Sequence, residues 1–229
     1  MACVVVLDMD DTLFLERDYV LSGFAAVDAV VAKEYGLTGF SERAWRLFCA
    51  GVRGRIFDEA LKEMGVEPQS AGVARLVAAY RSHSPHIELT SDSFRFLNAA
   101  RSRGLRIALV SDGAHVAQQA KVRALGLEKL ISPIVLTDAL GRDAWKPSSR
   151  GYLEVFERLG GKHGDYVYIG DNPNKDFIAP NALGWRTIRI RRSQGEYALA
   201  SALTDEGAPH REIASFDELH VDPLKGDVA

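Results

Sequence analysis

Two hydrophobic periodicities alternate along this chain. Short apolar runs rich in β-branched residues lie at Val4 to Leu7, Arg106 to Val110, Pro133 to Thr137, Tyr166 to Ile169 and Arg186 to Ile190. Runs of this length predict strands, most of them buried on both faces. Between them the spacing turns helical: Phe94, Leu97 and Arg101 after a Ser-rich start, Val116 to Leu125, Tyr152 to Leu159, and Phe177 to Leu183. Gly104, Gly126, Gly160 and Gly184 each follow a helical stretch, where a left-handed terminating residue is wanted. Strand, helix and strand in repetition predict a parallel sheet, so the fold class is α/β.

The interval from Phe14 to about Leu89 breaks the alternation. It offers only amphipathic helical runs, around Tyr19 to Tyr35, Glu42 to Ala50, Ile56 to Met64 and Ala71 to Ser82, separated by Gly36, Gly51, Gly54 and the Gly65 to Pro68 turn. The chain therefore divides into a sheet-bearing core of residues 1–14 and 90–229 and a helical insert of residues 15–89. An insert directly after the first strand is expected at the carboxyl ends of the strands, where open α/β sheets bind ligands, and reads as a lid. A tethered, independent helical domain is the alternative.

Composition sets the surroundings. A chain of 229 residues with 47% hydrophobic content can bury a full core, and a formal charge of -3 offers no general attraction to nucleic acid or anionic membranes. Two cysteines, Cys3 and Cys49, are too few for a disulfide framework, and Cys3 reads as a buried reduced thiol. With no basic leader and no apolar stretch of ~20 residues, a cytoplasmic, unanchored protein is expected.

The chemistry gathers where strands end. Asp8-Met9-Asp10-Asp11-Thr12 crowds three carboxylates at the exit of the first strand. Like charges that close raise one another's pKa unless a cation neutralises them, so the motif predicts a divalent ion rather than a plain acidic turn. Ser111-Asp112-Gly113 follows the second strand, Trp145-Lys146-Pro147-Ser148 precedes a helix, and Gly170-Asp171-Asn172-Pro173-Asn174-Lys175-Asp176 follows the fourth strand. Taken alone, Ser111 could cap its helix and Lys146 could be a surface lysine. Together a hydroxyl, an ammonium and further carboxylates are what phosphoryl transfer requires.

In this pattern the chain resembles the haloacid dehalogenase superfamily of phosphohydrolases. Its Asp-x-Asp-x-Thr motif is met by Asp8, Asp10 and Thr12, its hydroxyl motif by Ser111, its lysine motif by Lys146, and its acidic motif by Gly170, Asp171 and Asp176. The resemblance implies a Rossmann-like sheet ordered 5-4-1-2-3 with a small helical cap of the first cap class. It also implies that Asp8 attacks phosphorus and becomes an aspartyl-phosphate, while Asp10 acts as general acid and then base. Mg²⁺ would be held by Asp8, the Asp10 main-chain carbonyl and Asp171. Ser111 and Lys146 would bind the phosphoryl oxygens, and Asp176 would steady Lys146 or a metal-bound water. Asp11 reads as structural. Many relatives place Asn where this chain has Asp112, whose role stays open, with Gly113 bringing main-chain N–H groups to the ligand. Asn172 fits either a turn or a water contact.

Within that family, Asp10 argues for phosphate esters over halides, because halide leaves without a proton. A phosphonatase would need a cap lysine, and Lys33 and Lys62 both sit in ordinary amphipathic runs. The expected function is a Mg²⁺-dependent phosphomonoesterase for a small phosphorylated metabolite, a sugar phosphate or nucleotide monophosphate. A phosphosugar mutase and a catalytically silent binding protein remain alternatives, and oligomeric state is not readable. Arg53 and Arg55, in a glycine-flanked turn, are candidate substrate cations. Arg43 and Arg46 read as surface, Phe14, Tyr19, Phe24, Trp45, Phe48 and Phe57 as core before pocket, and His83 with His86 as too few for zinc. The string Arg186 to Arg192 reads as a strand with one solvated charged face at the sheet edge, and Ile213 to Leu219 as a short docked helix in a polar tail.

Overall fold

A computed structural model describes residues 4–219, 221–222 and 227–228, and the chain forms two compact units, Met1–Glu16 with Glu88–Ala229, and Arg17–Ile87. The first unit is built on six parallel strands: β1 (Val4–Leu7), β2 (Arg106–Ser111), β3 (Ile134–Leu136), β4 (Tyr166–Gly170), β5 (Arg186–Ile190) and β6 (Arg211–Ile213). Their order across the sheet is β3-β2-β1-β4-β5-β6. This is the expected 5-4-1-2-3 arrangement with one more parallel strand outside β5. Helices α5 (Ser91–Ser102), α6 (His115–Ala124), α7 (Arg150–Leu159) and the five-residue α8 (Ile178–Ala182) connect the strands; the four helices before them in the chain belong mainly to the second unit. Gly104, Gly126 and Gly184 close α5, α6 and α8 with φ of 68°, 65° and 75°.

The strands are apolar on both faces, as sheets covered on both sides require. Val4, Val6, Ala108, Val110, Tyr166 and Tyr168 are buried on one face with Tyr152 and Val155 of α7 and with Phe177. The alternating residues Val5, Leu7, Ile107 and Leu109 are equally buried. Burying each such side chain contributes about 1.5–3 kcal/mol. The register sets Leu7 opposite Leu109 on one side and Ile169 on the other. Asp8, Ser111 and Asp171 therefore emerge side by side at the carboxyl end of the sheet. The strand order reverses between β1 and β4, the crevice in which open α/β sheets bind ligands.

One expectation for the C-terminal part is corrected and another is narrowed. The Arg186 to Arg192 string is not a solvated edge, because β6 pairs with β5 and Arg189 is 1% exposed. Periodicity showed the strand but not the neighbour that covers it. The segment Ile213 to Leu219 docks as a short helix over part of its length: Ile213 ends β6, and the 3₁₀ helix Phe216–Glu218 stacks Phe216 on Phe96 with ring centroids 4.7 Å apart. Cys3 lies outside the described residues, and Cys49 is exposed. No helix among the described residues is long and apolar enough to cross a membrane.

The second unit contains most of α1 (Glu16–Tyr35), with α2 (Phe40–Cys49), α3 (Ile56–Glu63) and α4 (Ser70–Ser82). Val20, Phe24, Val27 and Val31 recur at helical spacing on α1 and bury against Phe40, Ala44, Ala60, Leu61 and Leu76. Gly23 lets α4 approach, since a Cβ there would lie 2.3 Å from the Tyr80 ring. Asp28 accepts the N–H groups of Phe40 and Ser41 at 2.7 and 3.3 Å and so caps α2 from a neighbouring helix. His83 bonds Tyr80 and Ser22.

Asp92 ties three parts of the first unit together. It pairs with Arg192 through two bonds of 3.0 and 2.8 Å, and it accepts the Ser215 hydroxyl and the Phe216 N–H. Burial opposes its charge, but Thr90, Arg192 and the Phe216 N–H outweigh burial and hold the carboxyl well below its ordinary range. A depressed carboxyl stabilises the fold above the unfolded pKa of about 3.9, and that contribution disappears as pH falls through the folded value. Asp92→Asn is expected to lower unfolding free energy by about 3 kcal/mol at pH 7. Urea melts should show the gap to wild type shrinking below pH ~4.

Candidate active site

The end of β1 is held to β4 by the Asp8 N–H, which donates to the Ile169 carbonyl at 2.8 Å. This places the Asp8 carboxylate against Lys146, whose ammonium is fully buried and donates to Asp8 Oδ1, to the Tyr168 hydroxyl at 2.7 Å and to Asp176 Oδ1 at 3.0 Å. An ammonium has three protons, and all three are used. Asp176 is in turn fixed by the Asn172 N–H at 2.9 Å on its other oxygen and by Tyr152, which donates to its carbonyl. Gly170 makes this approach possible: a Cβ there would lie 2.6 Å from Asp176 Oδ2. Asn172 accepts the Asn174 N–H at 3.0 Å, so its side chain shapes the turn.

Carboxylate oxygens of Asp8, Asp171 and Asp176 lie within 4.8 Å of one another. Burial pushes Asp8 up to about 7, against the pull of Lys146 and with the push of Asp176. Burial, Asp176 and Asp8 together drive Asp171 well above the ordinary carboxylate range. One lysine does not neutralise three buried carboxylates, and a hard cation with oxygen ligands would. Both Asp176 oxygens already accept protein hydrogen bonds, so Asp8 and Asp171 are the better donors to an ion. Arg189 donates to the Asp171 carbonyl at 3.0 Å and keeps that residue aimed inward.

On the other side of Asp8, Asp10 accepts from Lys121 at 2.7 Å and from Gln118 at 2.8 Å. Gln118 also reaches Ser111 Oγ at 2.8 Å and the Asp112 carbonyl at 2.7 Å. Ser111 is buried at the last position of β2, and Gly113, with φ of 133°, makes room for Gln118. Asp112 points into the protein. It accepts the Thr137 hydroxyl at 2.7 Å, the Lys146 N–H at 3.2 Å and Lys175 at 3.1 Å. Burial opposes its charge, but Lys146 and Lys175 prevail and hold its carboxyl below the ordinary range. An Asp at this position thus anchors the loop that carries Lys146. Asp11, at φ 51°, accepts the N–H groups of Glu16 and Glu196 at 2.9 and 2.7 Å and fixes the turn. Thr12 is buried, and its carbonyl takes two bonds from Arg192. Arg53 and Arg55 lie in the helical unit, Arg53 donating to the Phe48 and Val52 carbonyls of its own turn.

Residues 4–184 match the family model for haloacid dehalogenase-like hydrolases. The chain belongs to the haloacid dehalogenase-like hydrolases. It is 31% identical to a glyceraldehyde 3-phosphate phosphatase of Methanopyrus kandleri, over 94% of each chain. It is 29% identical to a phosphoserine phosphatase of Thermus thermophilus, over 74% of this chain and 66% of that one. The fold is shared with a haloacid dehalogenase-type hydrolase from Bacillus subtilis bound to magnesium, with a TM-score of 0.66, 18% identity and coverage of 95% and 96%.

Several site residues of this hydrolase were not legible as such. Gln118 and Lys121 looked like ordinary helix residues, and only their i,i+3 spacing on an otherwise apolar face signals an inward polar pair. Tyr152 and Tyr168 read as helix and strand packing, and Arg189 as part of a solvated strand edge. The glycine of the acidic motif gives a direct test. Gly170→Ala should force Asp176 off its partners and lower stability by about 1–3 kcal/mol, as overpacking does. Chemical denaturation measures it, and phosphatase turnover should fall with it.

Proposed function

We propose that this hydrolase is a magnesium-dependent phosphomonoesterase that acts on a small phosphorylated metabolite through an aspartyl-phosphate on Asp8. The observation that carries the reading is the buried cluster in which Asp8 faces Lys146, with Asp171 close by and Asp10 two residues further along. Asp8 supplies the nucleophilic oxygen, and Lys146 offsets repulsion between that carboxylate and an incoming phosphate. The Ser111 hydroxyl donates to a phosphoryl oxygen. Asp10 protonates the leaving oxygen and then takes a proton from the water that releases phosphate. Asp8, Asp171 and the Asp10 carbonyl would hold Mg²⁺, which supplies charge neutralisation at the phosphoryl oxygens.

The reading of Asp10 favours phosphate esters, since a halide needs no proton to leave. The relatives named above act on a triose phosphate and on phosphoserine, and their overlap with this chain supports a substrate of that size. We assign substrate choice to the helical unit, with Arg53 and Arg55 as candidate cations.

Phosphate release should be measured on triose phosphates, phosphoserine, pentose bisphosphates and nucleotide monophosphates, with Mg²⁺ and with chelator. Wild type is expected to hydrolyse at least one of them only with the metal, and Asp8→Asn to lose roughly a thousandfold or more while keeping its fold. Turnover that survives Asp8→Asn would overturn the reading, and interconversion of phosphosugars without net release would replace it with a mutase.

A further inference from the structure

Gln118 and Lys121 stand one turn apart on α6, and both are buried, at 1% and 4% exposure. Burying an amide and an ammonium is unfavourable unless their hydrogens are used, and here both turn to the same carboxylate. Lys121 Nζ lies 2.7 Å from Asp10 Oδ1 and Gln118 Nε2 lies 2.8 Å from Asp10 Oδ2. Gln118 Nε2 also lies 2.8 Å from Ser111 Oγ and 2.7 Å from the Asp112 carbonyl. The carboxylate and the carbonyl only accept, so the amide presents its nitrogen to them and not its oxygen. Gly113 is part of the arrangement, because a Cβ there would meet Gln118 Cδ at 2.9 Å.

We propose that Gln118 and Lys121 are positioning residues for proton transfer, fixing which lone pair of Asp10 carries the proton. The assignment rests on the reading of Asp10 as general acid and base. Both neighbours offer Asp10 only N–H donors, so a proton on that carboxyl points at neither and occupies a lone pair facing away from α6. In the first step the Asp8 oxygen bonds phosphorus, the ester P–O bond breaks and the Asp10 proton goes to the leaving oxygen. Asp10 is then a carboxylate between two donors that stabilise its charge. In the second step the oxygen of water bonds phosphorus, its proton returns to Asp10 and the Asp8–phosphorus bond breaks.

The test compares leaving groups. For a two-step hydrolase, kcat/KM reports only the steps through departure of the first product. p-Nitrophenolate departs without a proton, whereas the alkoxide of phosphoserine or a triose phosphate needs one. The ratio of kcat/KM for the alkyl substrate to that for p-nitrophenyl phosphate is independent of how much of a preparation is folded. Lys121→Met and Gln118→Leu should each lower this ratio about tenfold or more, and either variant alone suffices. Asp10→Asn should lower it further, and adding Lys121→Met to Asp10→Asn should lower it no more, because both act through one group. A ratio unchanged in both single variants while Asp10→Asn lowers it would overturn the positioning role. A ratio unchanged in Asp10→Asn would instead overturn the acid role of Asp10, and the assignment with it.

Discussion

A lysine with no access to water, surrounded by carboxylates that burial alone would neutralise, is the interaction on which the core of this hydrolase depends. Each buried charge is unfavourable by several kcal/mol when unpaired, so the ammonium of Lys146 and the carboxylates of Asp8 and Asp176 must arrive together or not at all. The sheet makes this possible. Parallel strands in matched register deliver Asp8 and Asp171 to the same edge, and the glycine before Asp171 lets Asp176 fold back beneath them. Tyr152 and Tyr168 then bring hydroxyls into an otherwise apolar face and complete the hydrogen bonding of the cluster.

The charges are arranged in two separate sets. Around Asp8, Lys146 serves Asp8 and Asp176, and Asp112 grips the backbone from which Lys146 extends. Around Asp10, the donors are Lys121 and Gln118. Neighbouring carboxylates two residues apart thus have different partners, and different partners are what allow them different roles. Two arginines finish the frame from β5 and its exit. Arg189 holds the carbonyl of Asp171, and Arg192 holds that of Thr12.

Much of this was legible in the sequence, for a physical reason. Strands buried on both faces are apolar throughout, and a break from such a run into Asp8, Ser111 or Asp171 is conspicuous. The same contrast exposed the helical insert, where the strand periodicity stops. What escaped were contacts made by residues with ordinary local patterns. Arg189 alternates with isoleucines as an edge residue would, and its burial follows from β6, a three-residue strand too short to announce itself, together with the Asp171 and Tyr197 carbonyls it reaches. Asp112 carries the same charge whether it faces outward or grips Lys146, and only the loop's path decides. Lys121 is a helix lysine like any other until α6 is set against Asp10.

The central claim is that Asp8 forms a covalent bond to phosphorus. Borohydride reduces an acyl phosphate to the alcohol, so a turnover mixture quenched and reduced within the lifetime of the intermediate should contain homoserine at position 8, read by mass spectrometry of the peptide. Asp10→Asn, impaired in activating water, should accumulate more of it once phosphorylated by p-nitrophenyl phosphate. Reduction at any other residue, or none during steady turnover of either enzyme, would contradict the account.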